Sequence, residues 1–296
     1  MSMRGLGGRH FGLAVVMVAF AGALVFAQWK FVLGGSSDSN STSSPRPFRQ
    51  YPGVEYPSYP LPENVGERDE WVFARMMYPP AGFGRGFGGW GDWARGNSSW
   101  TIDYPRGDRH MAAAVKRLTR IQARPFEQPV NLDDGDDVFH WPWLYAVEVG
   151  HWDLTDAQAR KLRDYLLRGG FLMVDDFHGT DDWQHFMAGM RQVLPDAPVE
   201  DLRDQDEIYH VLYDINEKFQ IPSEVYVNTG RTYEKDGYVP KWRAIRNDHG
   251  RIMVAICANM HLGDAWEWAD SPEYPEKFSG LAFRIVLNYI TYAMTH

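Results

Sequence analysis

The sequence contains a single cysteine, Cys257, among 296 residues. An internal disulfide is therefore excluded, and packing of an apolar core must stabilise the fold. The sequence also lacks a basic excess, because 30 Lys and Arg are outnumbered by 39 Asp and Glu, which leaves a net charge of −9. No basic run with interleaved aromatic residues offsets this charge, so no nucleic-acid partner is expected.

Aromatic residues, by contrast, are abundant. They make up 15% of the chain and include 12 Trp, a composition that disordered proteins do not have. A chain of this length can bury one sizeable core, so we expect one large domain rather than two small ones.

One long uncharged apolar run stands near the start of the chain, at residues 11–27, with Arg4 and Arg9 before it. This order is typical of an export signal, and Val25-x-Ala27 is an acceptable cleavage site. The run is also almost long enough to span a bilayer as a retained anchor. Residues 1–33 are therefore predicted to be a signal peptide or a single transmembrane anchor. Either one places the rest of the protein in the periplasm or elsewhere outside the cytoplasm, soluble after cleavage or anchored to the membrane.

Residues 34–66 have the composition of a tether. Ser, Asn, Gly and Pro come first, and Pro then alternates with Tyr, so a flexible segment is predicted to stiffen into an extended arm. The tyrosines supply apolar area that a spacer does not need. The Tyr-Pro part could instead lie along the surface of the domain.

Residues 67–296 alternate short apolar runs with helical patterns. Strands are predicted at residues 71–78, 143–149, 171–175 and 251–257, and helices at residues 108–121, 155–166, 181–194 and 278–294. Thr155 and Gln158 form a capping-box pattern at the start of the second helix. Strands without polar alternation, interleaved with helices, indicate an α/β fold with a mostly parallel sheet and helices on both faces.

Two aspartates and a histidine follow the apolar run at residues 171–174. In open α/β sheets, ligands bind at the carboxyl ends of the strands. Asp175, Asp176 and His178 are therefore candidates for catalysis, and His178 also for ligand binding. The alternative is that one of the aspartates caps the helix that starts near Asp181, while His178 bonds a neighbouring loop.

A second polar group follows the predicted strand at residues 251–257 and comprises Asn259, His261, Asp264, Trp266 and Glu267. Asp264 and Glu267 are catalytic candidates, because carboxylates beside histidines suit general acid–base chemistry. Ligand-binding candidates in this group are Asn259, His261, Asp264 and Trp266. A divalent metal ion would suit Asp176, His178, His261 and Asp264, although the spacing matches no strong zinc signature. The alternative is that Asp264 and Glu267 cap a short helix while His261 faces solvent.

Gly84, Gly86 and Gly89 have the spacing of a dinucleotide-binding fingerprint. No helical pattern begins there, and the nearby tryptophans are too bulky for the close packing that the third glycine serves, so no nucleotide cofactor is expected. We interpret the segment as a long loop over the crevice, with apolar contacts from tryptophans and anchors from charged residues. Its ligand-binding candidates are Trp90, Trp93, Asp103 and Arg109. The alternative is that such a loop completes the core.

Cys257 is not expected to be a nucleophile, because it ends an apolar strand with no adjacent base. His151 and His210 stand alone in the sequence, as structural histidines usually do.

Several segments agree, in order, with one known bacterial family. They read WVFARMMY, TIDYP, LLRGGFLMVDDFHG, MVAICANMHLGDAWE and NYITYAMTH. Over residues 69–296 the chain resembles the uncharacterised family DUF4159. That family is similar to the class I glutamine amidotransferase-like fold, a flavodoxin-like three-layer architecture.

The resemblance also implies a change of chemistry. In the amidotransferase-like fold, a segment similar to LLRGGFLMV leads into the sharp turn that carries the glutaminase cysteine. Here Asp175 to His178 stand at that position, and Cys257 lies on a different strand. The covalent acyl-enzyme route of a glutaminase is therefore not expected.

Two functions of different classes follow. One is a module of the cell envelope that binds a small molecule or an envelope protein in the crevice and is held at the membrane through its N-terminal segment. The other is an envelope hydrolase that uses the carboxylates and histidines, with or without a metal ion.

Overall fold

The computed structural model describes residues 44–63, 69–82 and 92–296. The predicted signal or anchor, the Ser-rich part of the tether, the three spaced glycines and Trp90 lie outside the described residues. Among the residues that are described, no helix is both long and apolar enough to cross a membrane.

In the described part of the chain, seven strands form one mixed sheet in the order β2-β1-β3-β4-β7-β6-β5. The strands are β1 (Ala74–Met77), β2 (Gln128–Asn131), β3 (Trp143–Val147), β4 (Phe171–Asp175), β5 (Val199–Asp201), β6 (Lys241–Arg246) and β7 (Ile252–Ala258). β1, β2, β3, β4 and β7 run parallel, whereas β6 pairs antiparallel with both of its neighbours. The expected mostly parallel α/β sheet is confirmed.

Helices cover both faces of this sheet. They are α1 (Arg106–Leu118), α2 (Asp156–Leu167), α3 (Gly179–Val193), the short α4 (Tyr226–Thr229), α5 (Leu262–Glu267) and α6 (Glu276–Thr295). Phe171 and Met173 of β4 face the core formed with α1, α5 and α6. Leu172 and Val174 alternate to the core formed with α2 and α3. All four side chains are fully buried, so β4 is a central strand, as its apolar run predicts.

Local signals explain where the helices begin and end. The Thr155 hydroxyl accepts the Gln158 backbone N–H at 3.2 Å, and the Gln158 side chain accepts the Thr155 N–H at 3.1 Å, which confirms the predicted capping box. The predicted apolar face of α1 is only partly right. Met111 and Val115 are buried, but Leu118 is 53% exposed because the helix ends there, and Ile121 lies beyond it.

A buried arginine attaches both α1 and the loop before it to the sheet. Arg75 of β1 donates to both carboxylate oxygens of Asp108 and to the backbone carbonyls of Trp100 and Ile102. Both charged side chains are buried. The Trp100 side chain is also fully buried, so this part of the aromatic-rich loop completes the core, as the alternative interpretation held.

Residues 44–63 lie against the domain. The Arg109 guanidinium pairs with Glu127 at 2.8 Å and also donates to the Gln50 side chain and the Pro60 carbonyl of this segment. The Asp103 backbone N–H donates to Glu55 at 2.7 Å. We call residues 44–63 the N-terminal arm. Its Tyr-Pro part therefore follows the surface of the domain.

Candidate functional site

Three adjacent strands, β3, β4 and β7, end in the same type of turn. The residues that follow them directly are Glu148, Asp176 and Asn259, with φ angles of 54°, 57° and 63°. These left-handed conformations are unfavourable for residues other than glycine, and they often occur at functional sites. The carboxyl edge of the sheet is therefore where the chain turns most sharply.

Asp176 stands at the centre of a buried group of titratable side chains. Its Oδ1 lies 3.0 Å from Nε2 of His178 and 2.7 Å from Nδ1 of His261. Asp264 Oδ2 lies 3.2 Å from the same His261 nitrogen. The two imidazole rings stack with their centroids 4.2 Å apart. We call Asp176, His178, His261 and Asp264 the histidine cluster.

The histidine cluster brings together side chains that follow β4 and β7. All four side chains are almost fully buried, so the alternative of a solvent-facing His261 is wrong. Neither Asp175 nor Asp176 caps helix α3. Its N-cap is His178, whose backbone N–H donates to Asp182 at 2.8 Å, so capping of α3 by Asp175 or Asp176 is also excluded.

The four groups differ in their electrostatic environment. Burial disfavours the charged form of Asp176, but the adjacent His261 and His178 outweigh burial and hold the Asp176 pKa well below its usual value. Burial raises the pKa of Asp264 well above its usual value, and the Asp176 charge adds to this effect. Two carboxyls whose pKa values shift in opposite directions can take different roles in one site. Asp176, with the lowered pKa, suits an ionised ligand, and Asp264, with the raised pKa, suits a group that carries a proton.

The two histidines are also unlike each other. Burial opposes protonation of His261, but Asp176 and Asp264 outweigh it and raise the His261 pKa well above its usual value. Burial, followed by the neighbouring His261 charge, lowers the pKa of His178. Among the described residues, Nδ1 of neither ring has an aligned hydrogen-bond partner, although His261 Nδ1 lies 2.7 Å from Asp176 and 3.2 Å from Asp264.

Asp176, His178 and His261 each offer one ligand atom, and the three atoms lie within 4.8 Å of one another. Two imidazoles and a carboxylate are a donor set that suits Zn²⁺, Fe²⁺ and related divalent ions. The unpartnered ring nitrogens and the excess of carboxylates fit a cation in this position.

Asp175, another catalytic candidate, has a structural position. Its Oδ2 accepts the backbone N–H groups of Leu262 and Gly263 at 2.8 and 3.0 Å and faces the Tyr145 hydroxyl at 3.2 Å. It therefore holds the start of α5, which carries Asp264. Burial, followed by the Asp176 charge, raises the Asp175 pKa to about 8.

Glu267 and Asp103 belong to a different group. Glu267 lies within 4.8 Å of Glu55 and Asp103, and Asp103 lies within the same distance of Asp176 and Asp264, counted between one oxygen of each residue. Burial, followed by the Glu55 charge, raises the Glu267 pKa to about 7. Glu55, Asp103 and Glu267 form what we call the carboxylate cluster.

Four ligand-binding candidates lie outside both clusters. Trp266 is fully buried and packs against Phe73 and Tyr145, and Arg109 holds the N-terminal arm. The Asn259 side chain bonds the Gly179 N–H and the Val239 carbonyl. Trp93 accepts, through its backbone carbonyl, a hydrogen bond from the Trp100 indole.

A segment that sequence reasoning missed covers the histidine cluster. The Glu224 N–H donates to Asp264 at 3.3 Å, and Glu234 Oε1 lies 3.7 Å from His261 Nε2. Lys235 bonds Asp182 at 2.6 Å. We call residues 223–239 the covering loop. His261 and the loop residues Arg231 and Tyr233 line one narrow recess. No periodic pattern in these residues signals their position.

The lone thiol and the lone histidines take no part in these clusters. Cys257 is fully buried on β7, and burial raises its pKa well above the usual value. His210 bonds Asp214 and the Asp204 carbonyl at the surface. His151 lies 3.4 Å from Glu148.

We expect Cys257→Ser to leave ligand and metal binding unchanged and to lower the free energy of unfolding only modestly. A hydroxyl in this apolar position costs on the order of 1 kcal/mol. Thermal melting and metal titration of the variant, with Cys257→Ala as the control, test this expectation. Loss of binding at an unchanged melting temperature would assign the thiol a functional role.

The metal-free protein should lose stability as the pH rises from 6.5 to 8. The Asp175 and Glu267 pKa values are raised by burial to about 8 and about 7. Both carboxyls therefore bind protons more tightly in the folded state than in the unfolded state. The stability that they add is fully present at pH values below their unfolded-state pKa values, and it is lost as the pH rises through their folded-state pKa values. The pKa of His178 is lowered in the folded state, so this group makes the stability rise with pH, but only at pH values below its usual pKa of 6.5.

The expected loss is on the order of 1 kcal/mol per pH unit. Melting temperatures of EDTA-treated protein across this range measure it, and Glu267→Gln should reduce the slope. A melting temperature that rises between pH 6.5 and 8 would contradict the expectation.

These observations define the chain as a mixed α/β domain with a buried histidine–carboxylate site at the carboxyl edge of a mainly parallel sheet. The family described as Domain of unknown function (DUF4159) matches residues 92–294, and the chain belongs to this family. None of the curated proteins matches the sequence.

Proposed function

We propose that this domain is a metal-dependent hydrolase that acts outside the cytoplasm. The observation that carries the proposal is the convergence of Asp176, His178 and His261 within 4.8 Å in a buried site. The apolar run at residues 11–27 supports export or anchoring. The substrate class that fits a buried crevice is a small molecule rather than nucleic acid.

The roles of the side chains follow from their charges. Asp176, His178 and His261 would hold a divalent ion, which supplies Lewis-acid polarisation of a substrate carbonyl or phosphoryl oxygen when bound. Burial raises the pKa of Asp264, so this carboxyl would be the group that gives a proton to a leaving group. The covering loop shields these groups from bulk water.

We also propose that the fold is glutamine amidotransferase-like. The strand order β2-β1-β3-β4 and the left-handed Asp176 directly after β4 support this relationship, because the sharp turn after this strand carries the nucleophile in that fold. Asp176 occupies the turn here, so the turn would carry a metal ligand in place of a thiol.

A second candidate is a binding module without catalysis, which recognises a small molecule or an envelope protein. The observation that favours it is the near-complete burial of the histidine cluster beneath the covering loop. A substrate would reach the cluster only after this loop moves.

Metal titration followed by activity screening tests both candidates. Purified protein is stripped with EDTA, titrated with Zn²⁺, Mn²⁺ and Fe²⁺ by calorimetry, and then assayed against generic ester, amide, phosphate and glycoside substrates. Metal-dependent turnover supports the hydrolase. Metal binding without turnover on any of these substrates favours the binding module, and absence of metal binding removes the metal-dependent hydrolase.

A further inference from the structure

The carboxylate cluster joins three distant parts of the chain. Glu55 lies on the N-terminal arm, Asp103 in the loop before α1, and Glu267 at the end of α5. One oxygen of each lies within 4.8 Å of the other two. Like charges at this distance repel, so the cluster must hold protons or bind a cation.

Two oxygens of this cluster have no partner among the described residues. Asp103 is 1% exposed and Glu267 is 2% exposed, yet Asp103 Oδ2 and Glu267 Oε1 accept no hydrogen bond. A buried carboxylate oxygen without a donor is costly, and such atoms usually face an ion or an ordered water.

The Arg106 charge partly offsets the raised pKa of Glu267, and the Arg75 charge does the same for Glu55. Among the described residues, neither arginine forms an ion pair with the cluster. The Arg106 guanidinium donates to the Tyr56 hydroxyl at 3.1 Å and pairs with Asp270 at 2.6 Å. Arg75 is held by Asp108.

Glycine makes room for the unpartnered oxygen of Asp103. A Cβ at position 263 would lie 2.0 Å from Asp103 Oδ2, closer than any real contact. Gly263 therefore lets the start of α5 approach this carboxylate, which keeps the oxygen buried inside the cluster.

We propose that Glu55, Asp103 and Glu267 form a second divalent-cation site, separate from the histidine cluster. Because all of its side-chain ligands are carboxylates, the site is suited to hard ions such as Mn²⁺, Mg²⁺ or Ca²⁺ rather than to Zn²⁺. It adjoins the histidine cluster through Asp103, which also lies within ligand distance of Asp176 and Asp264. Occupancy of this site ties the N-terminal arm to the domain through Glu55.

Manganese stoichiometry tests the proposal. EDTA-treated wild-type protein, Glu55→Gln and Glu267→Gln are titrated with Mn²⁺ and followed by electron paramagnetic resonance. We expect each variant to bind one Mn²⁺ fewer than the wild type, or to bind it at least about tenfold more weakly, because one charged ligand is lost. Glu217→Gln, an exposed change, is the control and should bind as the wild type does.

The design separates this site from the histidine cluster. If that cluster binds no metal, the wild type takes up one Mn²⁺ and Glu55→Gln takes up none; if it does bind metal, the numbers are two and one. Glu55 is exposed on the arm, so its replacement leaves the core intact even if Glu267→Gln fails to fold. Equal stoichiometry and affinity in the wild type and Glu55→Gln would overturn the proposal.

A second readout follows the arm itself. Mn²⁺ should slow tryptic cleavage after Arg49 in the wild type, because the ion fixes Glu55 against Asp103. The same addition should leave the cleavage rate of Glu55→Gln unchanged. Equal protection of both proteins by Mn²⁺ would contradict the site.

Discussion

Asp176→Asn should abolish metal binding in the histidine cluster while the domain stays folded. The substitution keeps the shape of the side chain but removes the charge that lies 2.7 Å from His261 and 3.0 Å from His178. Affinity for Zn²⁺ should fall by about a hundredfold or more, because the loss of an ionised metal ligand lowers affinity more than the loss of a residue that only hydrogen-bonds a ligand. Calorimetric titration measures the affinity, and circular dichroism confirms the fold.

The matched control is Asp214→Asn, because this carboxylate is 77% exposed and, among the described residues, forms an ion pair only with His210. It should bind Zn²⁺ as the wild type does. Unfolding of Asp176→Asn at 25 °C would instead identify Asp176 as an anchor of the turn after β4. Wild-type affinity would remove it from the metal site.

Asp264→Asn extends the same test. Both aspartates contact one nitrogen of His261, so the double variant should lose less binding free energy than the sum of the two single losses. Strict additivity would place the two carboxylates in independent sites.

Met173→Asp should prevent folding. Met173 is fully buried at the centre of β4, between β3 and β7, and a carboxylate there has no partner in the apolar core. The cost is several kcal/mol, a large part of the roughly 5–15 kcal/mol that stabilises a typical domain. Circular dichroism and chemical denaturation of the purified variant measure the loss.

Met294→Asp is the control, since that methionine is 39% exposed near the end of α6. It should melt close to the wild type. A Met173→Asp protein with wild-type melting would show that β4 is not the central strand.

The sequence predicts those parts of the fold in which one local pattern decides the structure. The apolar run of β4 predicts a central strand because few polar atoms interrupt it, and the predicted helix at residues 155–166 has a complete capping box. β2 contains Pro129 within the sequence QPVN, and β6 alternates charged and apolar residues. Neither strand has the continuous apolar run by which β3, β4 and β7 are recognised.

The residues of the candidate site also divide into those that a local pattern predicts and those that depend on how the chain packs. The histidine cluster is predictable because its residues follow two strands whose carboxyl ends share one edge of the sheet. Glu55 is not, because it meets Asp103 across 48 positions of the chain, a contact set by how the arm packs. Arg75 was missed for a related reason: a charged residue inside a strand becomes interpretable only when its partner Asp108 is in place.

The position of β1 determines which fragment of this chain is an independent folding unit. The family match starts at residue 92, whereas β1 ends at Met77 and lies inside the sheet between β2 and β3. A fragment limited to the matched residues would lose an interior strand, together with the Arg75 that neutralises buried Asp108. It would also expose two unpaired strand edges, which promote aggregation. The region of family similarity is therefore shorter than the smallest piece of the chain that can fold by itself.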